Sequence, residues 1–502
     1  MRHAPRLLVG TILLLALVLL NGEPFLYFDT ASYLSRPDKA VRLLGEAAGL
    51  GQVPPTGAAP AAAAAGEGGA AAGYVVGGRS IFYGAAAWLA AALGAPAAMA
   101  ALQAALTVGA LSVLWDLGPR LPLPGFGAAV LALGLLTPAG FFAGLLTPDA
   151  FAPLTIVAVA LLLCAWPALG RGARLFLSAL VLLGALSHTS HLLVAAAMTA
   201  AGGAALLLPV ARGALSARGL SAAAGALVLA VAASWSVDAV AKRLTRLDVI
   251  ARPHLTAHLV DGGPGAAWVA RRCDDAGGPF AVCAYADRLP TDWIAFLFAR
   301  SPGMGVFAAE DVPPGPRRAL SEEDAAFALA VLRADPGGTL AFLAGDALRQ
   351  VGRVRYDAVP LTGAPLRARA AAFPFGIADG TGGRVASSPA ALHLLSDAAE
   401  VTAAAGAALL LTGLALLARA PEGAGAHRAL LWTGGAVLLG VLLNAAICGA
   451  LASPYDRFQS RVVPLLPAMA LPVWLVLARL PSRARPAAAN EGERIPGERF
   501  SE

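Results

Sequence analysis

The sequence predicts an all-α polytopic membrane protein of about ten transmembrane helices, with an α-rich, possibly α+β domain outside the membrane. Three observations predict this. Of 502 residues 58% are hydrophobic and only 14% charged, with a mean hydropathy of +0.69; a water-soluble core of this length cannot hide so much apolar surface. Apolar runs near the length of a bilayer crossing recur along the chain, separated by short polar connections. The basic residues, nearly all Arg, fall at every second connection, as the positive-inside rule requires. The formal net charge of +6 does not point to nucleic acid, because the Arg residues form no stripe with interleaved aromatics.

Arg2 and Arg6 precede the apolar run 7–20, read as a first span rather than a signal peptide because no small-x-small cleavage site follows it. A first periplasmic loop then covers 21–96. Its Ala/Gly low-complexity insert, 57–73, is expected to be disordered. The apolar stretch 80–93 is too short to cross and reads as a re-entrant or surface-lying helix. Six further spans are expected at 97–115, 126–146, 150–166, 175–186, 192–208 and 220–240, the run 175–186 being the shortest, and three more at 401–417, 429–451 and 462–480. The chain divides into an N-terminal membrane domain (1–241), a periplasmic domain (242–396), C-terminal membrane helices (397–481) and a cytoplasmic tail (482–502).

With the N-terminus inside, the cytoplasmic connections receive Arg120, Arg171, Arg174, Arg212, Arg218, Arg419 and Arg428, and the tail begins with Arg483 and Arg485. The short opposite connections around Asp149 and from Ser187 to His191 carry no Lys or Arg; only the loop 453–461 breaks the pattern. Both termini are therefore expected in the cytoplasm of a bacterial inner membrane. In the polar domain, Ser321 to Asp324 resembles a capping box opening a helix towards Arg333, and Asp335-Pro336-Gly337-Gly338 breaks it. Cys164 and Cys448 lie in apolar runs as small buried hydrophobes, whereas Cys273 and Cys283 fall in the polar domain and are a candidate disulfide.

The chain has no P-loop, G-x-S-x-G, H-E-x-x-H or dinucleotide fingerprint. His188 and His191, spaced i, i+3, lack a third ligand nearby and are weak evidence for a metal. The informative pattern is where polar groups meet the membrane. Asp29, Arg79, Asp149, His188, His191, Asp238, Asp397, Glu400, Asp456, Arg457 and Arg461 all fall at external helix ends or adjoining loops, while the middle of the spans is almost free of charge. An ion-coupled transporter places such groups near the midplane, often in repeated halves, and neither feature is present.

Phe28-Asp29-Thr30-Ala31-Ser32-Tyr33, Gly78-Arg79-Ser80-Ile81-Phe82-Tyr83 and Leu146-Thr147-Pro148-Asp149-Ala150 follow one another in an order that resembles the GT-C superfamily of polyprenyl-phosphate-dependent glycosyltransferases, which includes protein O-mannosyltransferases and the lipid A aminoarabinose transferase. Those enzymes carry an acidic residue soon after span one, an Arg-x-Pro-like entry to a short helix, and an Asp at the external start of a later span. The resemblance covers roughly residues 1–208. Two departures stand out: the acidic pair common in the first loop is here Asp29-Thr30, and Ser80 replaces the expected Pro. They point to an unusual acceptor or to a member that has lost catalysis.

The resemblance implies transfer of a sugar from a polyprenyl-phosphate donor to a periplasmic, lipid or glycan acceptor. Asp29 is then the catalytic base, and Asp149 orients the acceptor or helps to hold a divalent cation, the one cofactor left open. Arg457 and Arg461, with His188, His191 and Arg79, are the expected lipid-phosphate ligands. Each has a plainer reading: Asp29 as a surface helix cap, Asp149 as a carboxylate at a positive helix terminus, the histidines as groups satisfying helix ends, the arginines as interfacial side chains. The alternatives are a membrane transporter or flippase, whose polar path would run along Gln103, Asp238 and Asn444, and a non-catalytic assembly protein of the cell envelope. Sugar, acceptor, metal dependence and oligomeric state are not legible.

Overall fold

A computed structural model describes residues 4–47, 68–69, 72–77, 79–273, 278–378, 380–420 and 425–480. The chain is predominantly helical, and among the described residues seven helices are long and apolar enough to cross a membrane: Ala4–Asn21, Ala97–Trp115, Pro148–Ala168, Ala217–Thr245, Pro389–Ala418, His427–Ala452 and Asp456–Leu477. This is the architecture of a multi-pass α-helical membrane protein.

The bundle is built around one helix. In Phe151–Ala165 every residue but Pro153 is buried, as expected of a helix apolar on all sides. It is ringed by Ala97–Trp115, Arg171–Ser187, Thr189–Ala205, Ala217–Thr245 and Gly425–Ala452. Small residues let these neighbours approach: a Cβ on Gly219 would fall within 1.8 Å of the Leu162 carbonyl oxygen. Outer helices expose Leu8, Leu19, Val228, Leu229, Leu409 and Leu411, apolar surface that water would not tolerate and a bilayer covers.

Some expected elements keep their division and others take a different form. The run 126–146 is not one helix but two, Leu123–Leu136 and Ala139–Gly144, because Pro138 forces Thr137 into an extended conformation. The runs 175–186 and 192–208 form two separate helices, Arg171–Ser187 and Thr189–Ala205, of 17 residues each. The stretch 80–93 is the 12-residue helix Ile81–Ala92, which packs on Phe28–Ala47. The helix Pro389–Ala418 runs unbroken through residue 397, where composition places a domain boundary.

The low-complexity insert 57–73 lies mostly outside the described residues, as does the tail 482–502. Its described end is ordered, because Gly68–Gly69 pairs antiparallel with Tyr74–Val76, and that strand pairs in parallel with Asp248–Ile250. This small sheet ties the first loop to the polar domain, whose own core gathers Tyr74, Ile250, Trp268, Phe296, Phe307 and Phe327. A disulfide joins Cys273 to Cys283, with Cα atoms 5.3 Å apart.

The capping box expected at Ser321 to Asp324 is absent. The helix Pro314–Glu322 ends there, and the acidic side chains serve neighbours instead: Asp324 accepts from the amides of Leu255 and Thr256, and Glu323 from that of Ala281. The expected helix towards Arg333 is present as Asp324–Ala334, without a side-chain cap, and Asp335 caps the one after it, Pro336–Val351, by accepting from the Gly338 amide. That helix lies against Gly425–Ala452, where Gly449 has no side chain to hold it off the Asp346 carbonyl.

Candidate functional site

Five ionisable side chains from four stretches of sequence meet at one end of the bundle. The first step is a backbone contact. The Phe25 amide donates to the Gly144 carbonyl and the Leu146 amide to the Phe25 carbonyl, each at 3.0 Å, so that Phe25 and Leu145 form a parallel bridge. Beyond it each strand turns into a helix: Asp29 lies in the first turn of Phe28–Ala47, and Asp149 in the short turn Pro148–Ala150 that leads into the central helix. Gln103 supports this arrangement by donating to the carbonyls of Ala143 and Leu145 while accepting from the Tyr83 hydroxyl.

The basic partners arrive from the far end of the chain. After Gly425–Ala452, Ser453 adopts a positive φ of 81°, and the chain turns into the short helix Asp456–Ser460. Gln350, fully buried in the polar domain, grips this turn. Its side chain accepts from the Tyr455 amide at 2.7 Å and donates to the Tyr455 carbonyl at 2.9 Å.

Arg457 thereby bridges the two carboxylates, its Nη1 lying 3.0 Å from Asp29 Oδ2 and its Nε 3.0 Å from Asp149 Oδ2. Its guanidinium also sits 4.1 Å from the centre of the Tyr27 ring. Arg461 holds the other Asp149 oxygen at 2.9 Å and donates to Ser190 Oγ at 3.0 Å and to Asn444 Oδ1 at 3.3 Å. Thr147 donates to Asp149 at 2.5 Å. Arg79 pairs with the free side of Asp29. It stands just before Ile81–Ala92, a helix whose N-terminus Ser80 caps by accepting from the amides of Phe82 and Tyr83, and Arg36 holds the Arg79 carbonyl at 2.7 Å.

Burial is graded across the cluster. The Asp149 and Arg461 side chains are sealed, whereas Asp29 keeps 17% and Arg79 16% of theirs accessible. Burial pushes the Asp29 carboxyl up, but the Arg79 and Arg457 guanidinium groups outweigh it and hold the carboxyl below its ordinary range. Within this cluster three guanidinium groups face two carboxylates, leaving one positive charge in excess. Around it, Tyr33 Oη and Arg461 Nε are buried without a hydrogen-bond partner in the protein.

His188 and His191 stack on one another beside Arg461, ring centres 5.2 Å apart. His188 caps Thr189–Ala205, its Nδ1 accepting from the Ser190 amide, and burial with Arg461 nearby lowers its pKa to about 3, so the ring is neutral. His254, which the sequence reading missed, stands close enough to feel Arg79 and Asp29; burial, then Arg79, lowers its pKa to about 4. A lone His beside a Pro in a polar domain carries no signal of that proximity. Of the three residues named for a transport path, Gln103 and Asn444 are hydrogen-bonded within and beside the cluster and Asp238 is exposed on the flank of Ala217–Thr245.

Among the described residues no group of three or more His, Cys, Asp or Glu side chains suits a metal ion. Both carboxylates of the cluster are committed to arginines, a donor set that does not fit a divalent cation in this arrangement. No protein-family model matches the chain, and no curated protein or solved structure matches it.

Proposed function

We propose that the protein is a glycosyltransferase of the GT-C type, which moves a sugar from a polyprenyl-phosphate donor to an acceptor at the periplasmic face of a bacterial inner membrane. On the positive-inside reading about ten helices cross the membrane, both termini are cytoplasmic, and the ion-pair cluster and the polar domain lie outside. The observation that supports this reading best is the cluster itself: three arginines and two aspartates at a helix end, with one unbalanced positive charge and unpartnered polar atoms around it. An anionic phosphate at the boundary between lipid and water complements such a site.

In this reading the donor phosphate competes with Asp29 and Asp149 for Arg457 and Arg461. Losing a guanidinium raises the basicity of Asp29, which is the more accessible of the two carboxylates. Asp29 then takes the proton of the acceptor hydroxyl, the acceptor oxygen bonds to the anomeric carbon, and the bond from that carbon to the phosphate oxygen breaks. The lipid phosphate leaves with both electrons of that bond, its charge met by Arg457 and Arg461. Asp149 holds the two arginines in register. Arg79 keeps Asp29 ionised, and the neutral histidines shape the wall. A transport reading needs Gln103, Asn444 and Asp238 on one path, whereas Gln103 and Asn444 are hydrogen-bonded inside the bundle and Asp238 is exposed.

The test is transfer from labelled polyprenyl-phosphate sugars in membranes holding equal amounts of folded wild type and Asp29→Asn. Loss of about 10²–10⁴-fold in rate is expected for the variant. Equal rates would reject Asp29 as the base. No transfer by wild type over a panel of donors and acceptors would favour the assembly-protein reading.

A further inference from the structure

Four partly exposed aromatic rings from three stretches of the chain meet beside the ion-pair cluster. Trp293 lies against Tyr455 with ring centres 6.3 Å apart. Tyr455 and Tyr27 share a side-chain hydrogen bond, and Tyr27 meets Phe28 edge to face at 5.7 Å. Phe28, the residue before Asp29, leaves 41% of its surface open. Guanidinium groups fix the planes of two of the rings: Arg457 lies 4.1 Å from the centre of Tyr27, and Arg369 lies 4.5 Å from that of Phe28.

Neither the core nor the bilayer accounts for this row. Core aromatics are sealed, as Tyr33 and Phe126 are. An interfacial belt draws its rings from the outward flanks of spans, as with Trp235 on Ala217–Thr245, which is 75% exposed. Trp293 instead opens the helix Trp293–Phe298, whose Phe296 and Leu297 are buried in the core of the polar domain. Tyr455 is the residue that Gln350 of that domain grips by its backbone.

The row offers apolar faces with polar groups at their edges: the hydroxyls of Tyr27 and Tyr455, the exposed Arg369 and the partly exposed Asp456. A sugar ring is built the same way, with C–H groups across its face and hydroxyls around its rim. The face stacks on an aromatic plane, and the rim hydrogen-bonds to the groups beside it.

We propose that this row is a saccharide-binding shelf that lays a short glycan beside Asp29. The binding does not depend on the transferase reading. Only the role of the glycan as acceptor rests on it, the shelf then presenting a sugar hydroxyl to the Asp29 carboxylate.

Trp293 supplies the measurement. Full-length protein in phosphatidylcholine nanodiscs is titrated with cello-, malto-, manno- and chitotetraose, and iodide quenching of Trp293 is read as the difference between wild type and Trp293→Phe. At least one tetrasaccharide is expected to protect Trp293 saturably. Phe28→Ala and Tyr455→Ala should each weaken that binding by roughly two- to tenfold, and Asp29→Asn should leave it unchanged. Phe28 is exposed, so its variant keeps the test open where Tyr455→Ala does not fold. In a second sample with brominated-chain phosphatidylcholine, Trp235 should be quenched and Trp293 spared. Three results overturn the proposal: protection by none of the four tetrasaccharides, protection undiminished in folded Phe28→Ala, or quenching of Trp293 by the brominated lipid. Transfer of labelled sugar to the protecting glycan tests the acceptor role separately, and binding without transfer upholds the shelf while removing that role.

Discussion

Arg461 shows how much one planar cation can hold at a single point. Its guanidinium reaches Asp149, Ser190 and Asn444, and its side chain is fully buried. Removing it leaves Asp149 with Arg457 and the Thr147 hydroxyl, and breaking a buried pair of this kind costs about 3–5 kcal/mol. Arg461→Ala is therefore expected to lower the thermal midpoint strongly, and Arg461→Lys to restore little, since an ammonium cannot reproduce the fork; fluorescence-detected size exclusion after heating checks both. The neutral histidines predict a pH dependence. His188 and His254 are held below the ordinary imidazole pKa of about 6.5. A group whose folded pKa is depressed leaves the unfolded chain binding more protons between the two values, so stability rises with pH there. The midpoint should be flat above pH ~6.5 and fall as the pH drops towards 4. His254→Gln should flatten that fall, and an unchanged slope in the variant would remove His254 as a cause. The ion pairs of Asp29 persist through this window, because its carboxyl is held below its ordinary range.

At the level of elements, the segment from Ser453 to Arg461 is held from two sides, by Asn444 of the bundle at the Phe458 carbonyl and by the polar domain at Tyr455. Gln350 supplies both hydrogen bonds to Tyr455. Each buried bond of this type contributes about 0.5–1.5 kcal/mol net. Gln350→Ala should thus lower stability by about 1–3 kcal/mol and, in the transferase reading, raise KM for the donor more than it lowers kcat, because the base, Asp29, is untouched. A fall in kcat with KM unchanged would contradict this role. Sequence reasoning had no access to the clamp, since a neutral Gln on a polar-domain helix looks like any solvated residue. Asp29, Asp149, Arg457 and Arg461 were legible for the opposite reason, as charges standing where apolar runs end. Their burial was not: read as a surface cap, Asp29 is instead an ion-pair partner of two arginines, so Asp29→Asn will cost some stability and needs equal amounts of folded protein for comparison.

Over the whole molecule, the apolar runs show which stretches belong in a membrane, and the Arg pattern suggests how they alternate. Reporter fusions at Arg171, Arg212 and Arg419 are expected to read cytoplasmic and one at Gly337 external; a cytoplasmic signal at Gly337 would overturn the topology and the side assigned to the site. Less was legible where local chemistry overrides hydropathy. The break at Thr137-Pro138 follows from one proline, and the unbroken course of Pro389–Ala418 through residue 397 crosses a change in composition. The Asn21 side chain accepts from the amides of Val385 and Ala386, fixing the approach to that long helix, and no periodicity records such a contact.

The bridge between Phe25 and Leu145 has a mechanical consequence. Asp29 and Asp149 each lie four residues beyond the same pair of hydrogen bonds. A shift of the first span against the central helix therefore loads that bridge before it can part the two acids, which form the fixed jaw of a vice. The opposing jaw is the arginine arm, which follows the chain's turn at Ser453 and is held by Gln350. In the transferase reading, parting the ion pairs for the donor phosphate displaces that arm and loads the grip of the polar domain on it.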